Sequence, residues 1–258
     1  MRRERWALIA VLAFGLPLAA LVLGPPLFGR VMAGAGGYLI VPSDAMAPNL
    51  LPGDRVVAQA RSGKPGRGAV VVYRLDESRT AGGGTAGGGT LGGAPPLRIG
   101  RVIGLPGETV AMVHGVPVID GTAAEVVQIE DDVLEIPADR AGAPRPRCLG
   151  GPAAPGEPCR RERWRERLPG ALPHVVLNFQ GCLGRADGDG CSAPARADNV
   201  PPTDLGQGML WILGDNRDNA LDSRFGMVGP VAVDAVVGEV VMIHTNLGAP
   251  SRSFAWVE

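Results

Sequence analysis

The sequence predicts a mostly-β exported domain behind one N-terminal membrane-spanning helix. Three observations carry this prediction. A long uncharged apolar run opens the chain, short β-branched runs separated by Pro/Gly turns follow it, and helical periodicity after the first run is weak.

The segment Met1-Arg2-Arg3-Glu4-Arg5 is net basic, and Trp6 to Phe28 carries no charge. Roughly 20 apolar residues cross a bilayer core as a helix, so the run is long enough. Pro17 interrupts it, and Pro25 and Pro26 mark its outer end. The basic flank places the N-terminus in the cytoplasm and everything after Arg30 outside. A cleaved signal peptide ending at Ala33-Gly34-Ala35 is the rival reading, but the run exceeds the usual core of about 7–15 residues. The anchor is therefore preferred, with a single span.

Beyond the anchor, Tyr38 to Val41 is a short apolar run, and Leu50-Leu51-Pro52-Gly53-Asp54 makes a turn into a strand at Arg55-Val56-Val57-Ala58. Gly66-Arg67-Gly68 turns the chain into Ala69 to Tyr73. Residues 80–96 are almost pure Gly, Thr, Ala and Pro, and are expected to form a flexible surface loop. Leu97 to Ile103 resumes as a strand, ending at the turn Gly104-Leu105-Pro106-Gly107-Glu108. Val110 to Val113 and Val116 to Ile119 form a hairpin about His114-Gly115. Residues 131–202 read as a polar, Pro-rich insertion with one apolar island, His174 to Phe179. Met209 to Leu213 is a strand, and Val231 to His244 contains another. The implied organisation is an anchor (1–30), a β-domain (31–130 with 203–250), the Gly-rich loop (80–96) and the Cys-containing insertion (131–202).

The four cysteines, Cys148, Cys159, Cys182 and Cys191, all fall in that insertion. Outside the cytoplasm such cysteines are usually paired, and four allow three pairings. The short-loop pairing Cys148–Cys159 with Cys182–Cys191 is preferred. No Cys-x-x-Cys spacing occurs and no histidine lies close in sequence to a cysteine, so neither a metal nor another cofactor is expected. A net charge of −1 gives no case for nucleic acid.

Three boxes then occur in order. The first is Val41-Pro42-Ser43-Asp44-Ala45-Met46-Ala47-Pro48-Asn49-Leu50, followed by the Pro-Gly-Asp turn. The second is Arg101-Val102-Ile103-Gly104-Leu105-Pro106-Gly107-Glu108. The third runs Gly214-Asp215-Asn216-Arg217-Asp218-Asn219-Ala220-Leu221-Asp222-Ser223-Arg224-Phe225-Gly226. Together they resemble the type I signal peptidase family, serine peptidases with a Ser-Lys dyad. The resemblance implies an all-β domain of antiparallel sheets, with a cleft that takes an extended peptide beside strand edges. It also implies a single-pass protein of a bacterial-type cytoplasmic membrane. Its partners would be the membrane and an extended preprotein segment or another secretion protein.

The chemistry departs from that pattern. Ala45 stands at the family's nucleophilic serine, and Gly100 at its general-base lysine. Ala220 stands where a serine usually supports that lysine. A methyl group cannot attack a carbonyl, and glycine offers no amine whose burial could lower its pKa. Arg98 and Arg101 stay protonated, so neither replaces the lysine. Lys64, the only lysine, sits in a turn with no motif around it. Ser43 matches a residue that helps hold the oxyanion and is the one alternative nucleophile. In an extended segment Ser43 and Ala45 would share a face, about 6.6 Å apart. Pro42, Ser43 and Met46 are expected to line the cleft. Asp215, Asn216, Arg217, Asp218, Asp222, Ser223 and Arg224 are expected to form a supporting ion-pair network, with Asp222 nearest the former base. His114, His174 and His244 match no catalytic position. Signal-peptide cleavage is thus the implied ancestral activity, expected to be lost here; an active enzyme using Ser43 is the alternative.

Overall fold

The computed structural model describes residues 36–60, 63–75, 97–136, 147–149, 153–154, 156–178, 183 and 197–257. The anchor, the Gly-rich loop 80–96, Cys182 and Cys191 lie outside them. Among the described residues no helix is long and apolar enough to cross a membrane.

The described chain is built of antiparallel strands with short 3-10 turns and no α-helix. In order they are β1 (Gly36–Ile40), β2 (Arg55–Gln59), β3 (Val70–Arg74), β4 (Leu97–Gly104) and β5 (Thr109–Val113). Then come β6 (Val116–Ile119), β7 (Thr122–Ala123), β8 (Glu125–Glu135), β9 (Pro158–Arg167) and β10 (His174–Leu177). The last are β11 (Val200–Asp204), β12 (Met209–Leu213), β13 (Val231–Ala232), β14 (Val236–Thr245) and β15 (Ala255–Trp256). The main sheet has the order β1-β2-β14-β3-β4-β12-β13, with β15 also on β14. A second sheet runs β11-β5-β6-β7, and a third runs β10-β9-β8.

The runs read from sequence at 55–58, 69–73, 97–103, 110–119 and 209–213 all become strands, because β-branched residues pack well on a pleated, half-buried surface. The described part of residues 131–202 includes long strands. β8 runs through the boundary at 130, and β9 pairs with it along its length, Glu125 opposite Arg167 and Glu135 opposite Pro158. Trp164, Leu168 and Val176 from this region share one core with Ile103, Val110, Met112 and Trp211. A second core holds Val41, Met46, Leu50, Val56, Val240 and Ile243. The Cys148–Cys159 disulfide is present, and both cysteines are buried against Ile136.

Two turns position the boxes. After the first box Asp54 is fully buried, accepting from Leu51 N (2.8 Å), Asn246 Nδ2 (2.6 Å) and Arg252 Nη2 (2.8 Å). Arg252 Nη2 also donates to Asn49 O at 2.8 Å. Burial alone would raise the Asp54 carboxyl, but the Arg252, Leu51 and Asn246 donors hold it below the usual range. After the second box Glu108 accepts from Leu105 N (2.7 Å) and is gripped by both Arg67 terminal nitrogens (2.6 and 2.9 Å).

The β5–β6 hairpin turns at His114 (φ +48) and Gly115 (φ +78). A Cβ on Gly115 would come 2.8 Å from Asn178 Nδ2 and 3.1 Å from Leu183 Cδ1. Gly115→Ala is therefore expected to lower stability by about 1–2 kcal/mol, read as a shift of the urea midpoint at constant slope.

Candidate active site

The first and third boxes meet face to face. Asn216 donates its N–H to Ala45 O (3.0 Å) and its Nδ2 to Asp44 O (3.1 Å). Asn219 Nδ2 donates to Asp44 Oδ1. At the centre lies Gly214, where a Cβ would overlap Ala220 Cβ and approach Ala45 O to 2.7 Å. Only glycine lets the two backbones come this close. Gly100, buried in β4 opposite Val71, completes the group. A Cβ there would sit 2.5 Å from Ile212 Cγ2, 3.2 Å from Leu213 O and 3.5 Å from Tyr73 Cε1. Ala45, Gly100 and Ala220, far apart in sequence, thus flank the dipeptide Leu213-Gly214.

The extended geometry supposed for Ser43 and Ala45 does not occur. Ala47 N donates to Asp44 O (2.9 Å) and Leu50 N to Met46 O (2.9 Å), so the segment closes into turns. The alternating-face argument, which placed both side chains on one side, fails for that reason. Pro42 and Ser43 are exposed, and Ala45 is half-buried. Met46 is 2% exposed and packs in the core with Leu50 and Val56, so its side chain supports the turn from within rather than lining a surface cleft.

Much of the third box is buried and joined by ion pairs. Arg101 grips Asp215 through Nε and Nη2 at 2.8 and 2.9 Å, and gives Nη1 to Gly68 O (2.7 Å). Burial would raise the Asp215 carboxyl, but the Arg101 charge and hydrogen bonds, with the Asn49 donor, hold it low. Arg224 forms a similar fork on Asp222, both contacts at 2.8 Å. Asp222 Oδ2 also accepts from Gly214 N (3.1 Å), and Ser223 Oγ accepts from Ile212 N (3.0 Å). Asp218 O takes Arg147 Nη1 at 2.7 Å, beside the disulfide.

Arg217 finds a partner that sequence reasoning missed. Its two terminal nitrogens reach Glu166 of β9 at 2.6 and 3.0 Å, and His174 Nε2 lies 3.1 Å from the same carboxylate. Burial would raise Glu166, but the Arg217 charge and then His174 pull it down to about 2. The same pair raises Arg217 further, its burial notwithstanding. The missed signal was the alternation Trp164, Glu166, Leu168 among exposed arginines. Asn49 is a second omission, bonded to Asp215 Oδ2 and to Val175 O, each at 2.7 Å.

The remaining candidates stand apart. Lys64 is exposed in the segment before β3. His244 stacks edge-on with Tyr38 and Phe254, and His114 turns the β5–β6 hairpin. Tyr73 Cε1 lies 3.5 Å from where a Gly100 Cβ would stand, and burial followed by the Asp222 charge pushes its phenol up. No group of three or more metal-ligating side chains occurs among the described residues.

Residues 9–245 match the family profile described as signal peptidase, peptidase S26. A crystal structure of a signal peptidase I from Enterococcus faecalis V583 aligns at 17% identity over 69% of this chain and 98% of that one. Its TM-score is 0.30, too loose a likeness to bear on the site. A comparison with curated proteins found no match. The family profile covers most of the chain, all three boxes included, and the described strands form an antiparallel all-β domain: the chain belongs to the peptidase S26 signal peptidase family.

Proposed function

We propose that this protein is a catalytically inactive signal peptidase homologue that retains a surface for an extended peptide or a secretion partner. It would act at the outer face of the cytoplasmic membrane, held by its N-terminal apolar segment. The observation that carries the reading is the packing at Gly100. The base position is occupied by the Ile212 γ-methyl, 2.5 Å from where a Cβ would begin, and by the Leu213 carbonyl. An amine would have to enter space that neighbouring side chains already fill.

The other groups nearby do not supply the missing chemistry. Ala45 carries no hydroxyl, and Asp222 is committed to Arg224 and to Gly214 N. The Tyr73 phenol is pushed towards its protonated form. Ser43 is exposed, and no base adjoins it in the contacts of the described residues. What favours retained binding is β1, which pairs only with β2 among the described strands and so offers an open edge for strand addition.

Purified full-length protein is expected to show no turnover of a preprotein. Ala45→Ser with Gly100→Lys is expected to remain inactive until Ile212→Ala makes room, whereupon slow cleavage appears. Cleavage by the natural chain that disappears with Ser43→Ala would show instead an enzyme with an unusual nucleophile.

A further inference from the structure

A cleft of about 320 Å³ opens beside the first box, which contributes only Asn49 to its lining. Its walls are Asn49, Arg165 of β9, Pro173 to Val175 at the start of β10, and Trp256 with Val257 at the end of β15. Neither Pro42, Ser43 nor Ala45 lines it, so it is distinct from the exposed face of the first box.

The charge in this cleft is one-sided. Arg165 is exposed and has no acidic cross-strand neighbour, since Val127 and Val175 flank it in register. Two residues earlier on the same face, Arg163 is flanked by Ile129 and Leu177, and its Nε is buried with no partner among the described residues. Elsewhere in the fold the guanidinium groups of Arg67, Arg101, Arg161, Arg217, Arg224 and Arg252 each hold a carboxylate. The carboxylates nearest in the network are already matched: Glu166 by Arg217, and Asp215 by Arg101. No acidic side chain is among the lining residues.

The lining also holds an indole: Trp256 is 75% exposed, so its face is open to a bound group. The third wall offers an acceptor. Asn49 commits its Nδ2 to Val175 O and Asp215 Oδ2, and no hydrogen bond to its Oδ1 occurs among the described residues. A guanidinium fork favours an oxyanion, an open indole favours a flat or apolar body, and a carbonyl acceptor favours an N–H beside the anion. A bare phosphate meets only the first of these demands. A peptide carboxylate meets all three.

We propose that the cleft between β15 and the β9–β10 edge binds a carboxylate of a short peptide segment, gripped by Arg165, covered by Trp256 and oriented through Asn49 Oδ1. The carboxylate could be an acidic side chain or a free chain end. This site would give the protein a charge-selective contact separate from the strand addition proposed at the β1 edge.

The test uses full-length protein in detergent with ¹⁵N-labelled tryptophan, the Trp256 indole resonance being assigned by its loss in Trp256→Phe. The ligands are Ac-Ala-Glu-Ala-NH2, its Gln counterpart, Ac-Ala-Ala-Ala with a free carboxylate, and inorganic phosphate. Saturable movement of the Trp256 signal by the Glu peptide, the free-end peptide or both is expected, and identifies which carboxylate is used. The Gln peptide should bind at least ten-fold more weakly, as should the preferred carboxylate peptide to Arg165→Gln. Arg160→Gln, on the same strand but paired with Asp131, should leave affinity unchanged. Equal binding of Glu and Gln peptides, full affinity in Arg165→Gln, equal binding of phosphate, or no binding at all would overturn the proposal. None of these results depends on whether preproteins are cleaved, so the proposed function stands or falls separately.

Discussion

Glu166→Ala is expected to destabilise the protein by about 3–5 kcal/mol, the usual cost of removing one partner from a fully buried ion pair. Arg217 would keep its charge at 1% side-chain exposure, with the Gly214 carbonyl as the one hydrogen-bond acceptor left to its side chain among the described residues. The loss should appear as a fall in the urea midpoint, accompanied by changes around the Gly214 loop that Arg217 holds. Replacing both partners by apolar residues, Glu166→Leu with Arg217→Met, should recover most of that loss, since an apolar pair leaves no unmatched charge.

The same carboxylate fixes the sign of the acid response. Its pKa is about 2 in the folded state against an ordinary 4.5, so the folded state favours the ionised form. That contribution is fully present above about pH 4.5 and is lost as pH falls toward about 2, amounting to about 3 kcal/mol. Asp215 and Asp54 are shifted in the same direction and add to the acid loss. Stability titrations should therefore fall steeply below about pH 4.5 in the natural chain and less steeply in the Glu166→Leu/Arg217→Met pair.

Gly214→Ala is expected to be nearly as severe, near 3 kcal/mol or the upper end of overpacking costs. The added methyl meets Ala220 Cβ on one side and the Ala45 carbonyl on the other, and the second contact is backbone. The first box must then move off the third, breaking the Asn216 and Asn219 bonds to Asp44 and Ala45. Adding Ala220→Gly should relieve only the first contact, so the double variant should recover part of the stability. Thermal unfolding of the two variants side by side checks this.

The strands with β-branched cores were legible in the sequence because their buried faces are uniformly apolar. β9 was not, because its inward face carries Arg161 and Glu166 as well as Trp164, and charge at those positions hides the alternation. Burial of such groups follows from partners on distant segments, which local pattern does not contain: Arg217 lies 51 residues from Glu166. The candidate site shows the same division. The composition of the third box announced ion pairs, and Arg224–Asp222 lies within it. The extended geometry considered for Ser43 and Ala45 gives way to turns over residues 44–50, where Asp44, Pro48 and Asn49 are turn-formers. The glycine at residue 100 was legible, but the Ile212 methyl packed against it could come only from the packing of β4 on β12.

Asp54 ties the beginning of the domain to its end, for it is held by Asn246 and by Arg252, 198 residues away in the chain. Contacts of such separation are slow to form, because the entropy of closing the intervening loop is lost before any contact compensates it. The turn that follows Ala45 thus acquires these hydrogen bonds only after residues 246–252 have emerged. Until then β1 and β2 can pair, but the Asp54 carboxylate between them lacks its Asn246 and Arg252 donors. In a chain delivered N-terminus first, the Asp54 turn is made long before the residues that complete its hydrogen bonds.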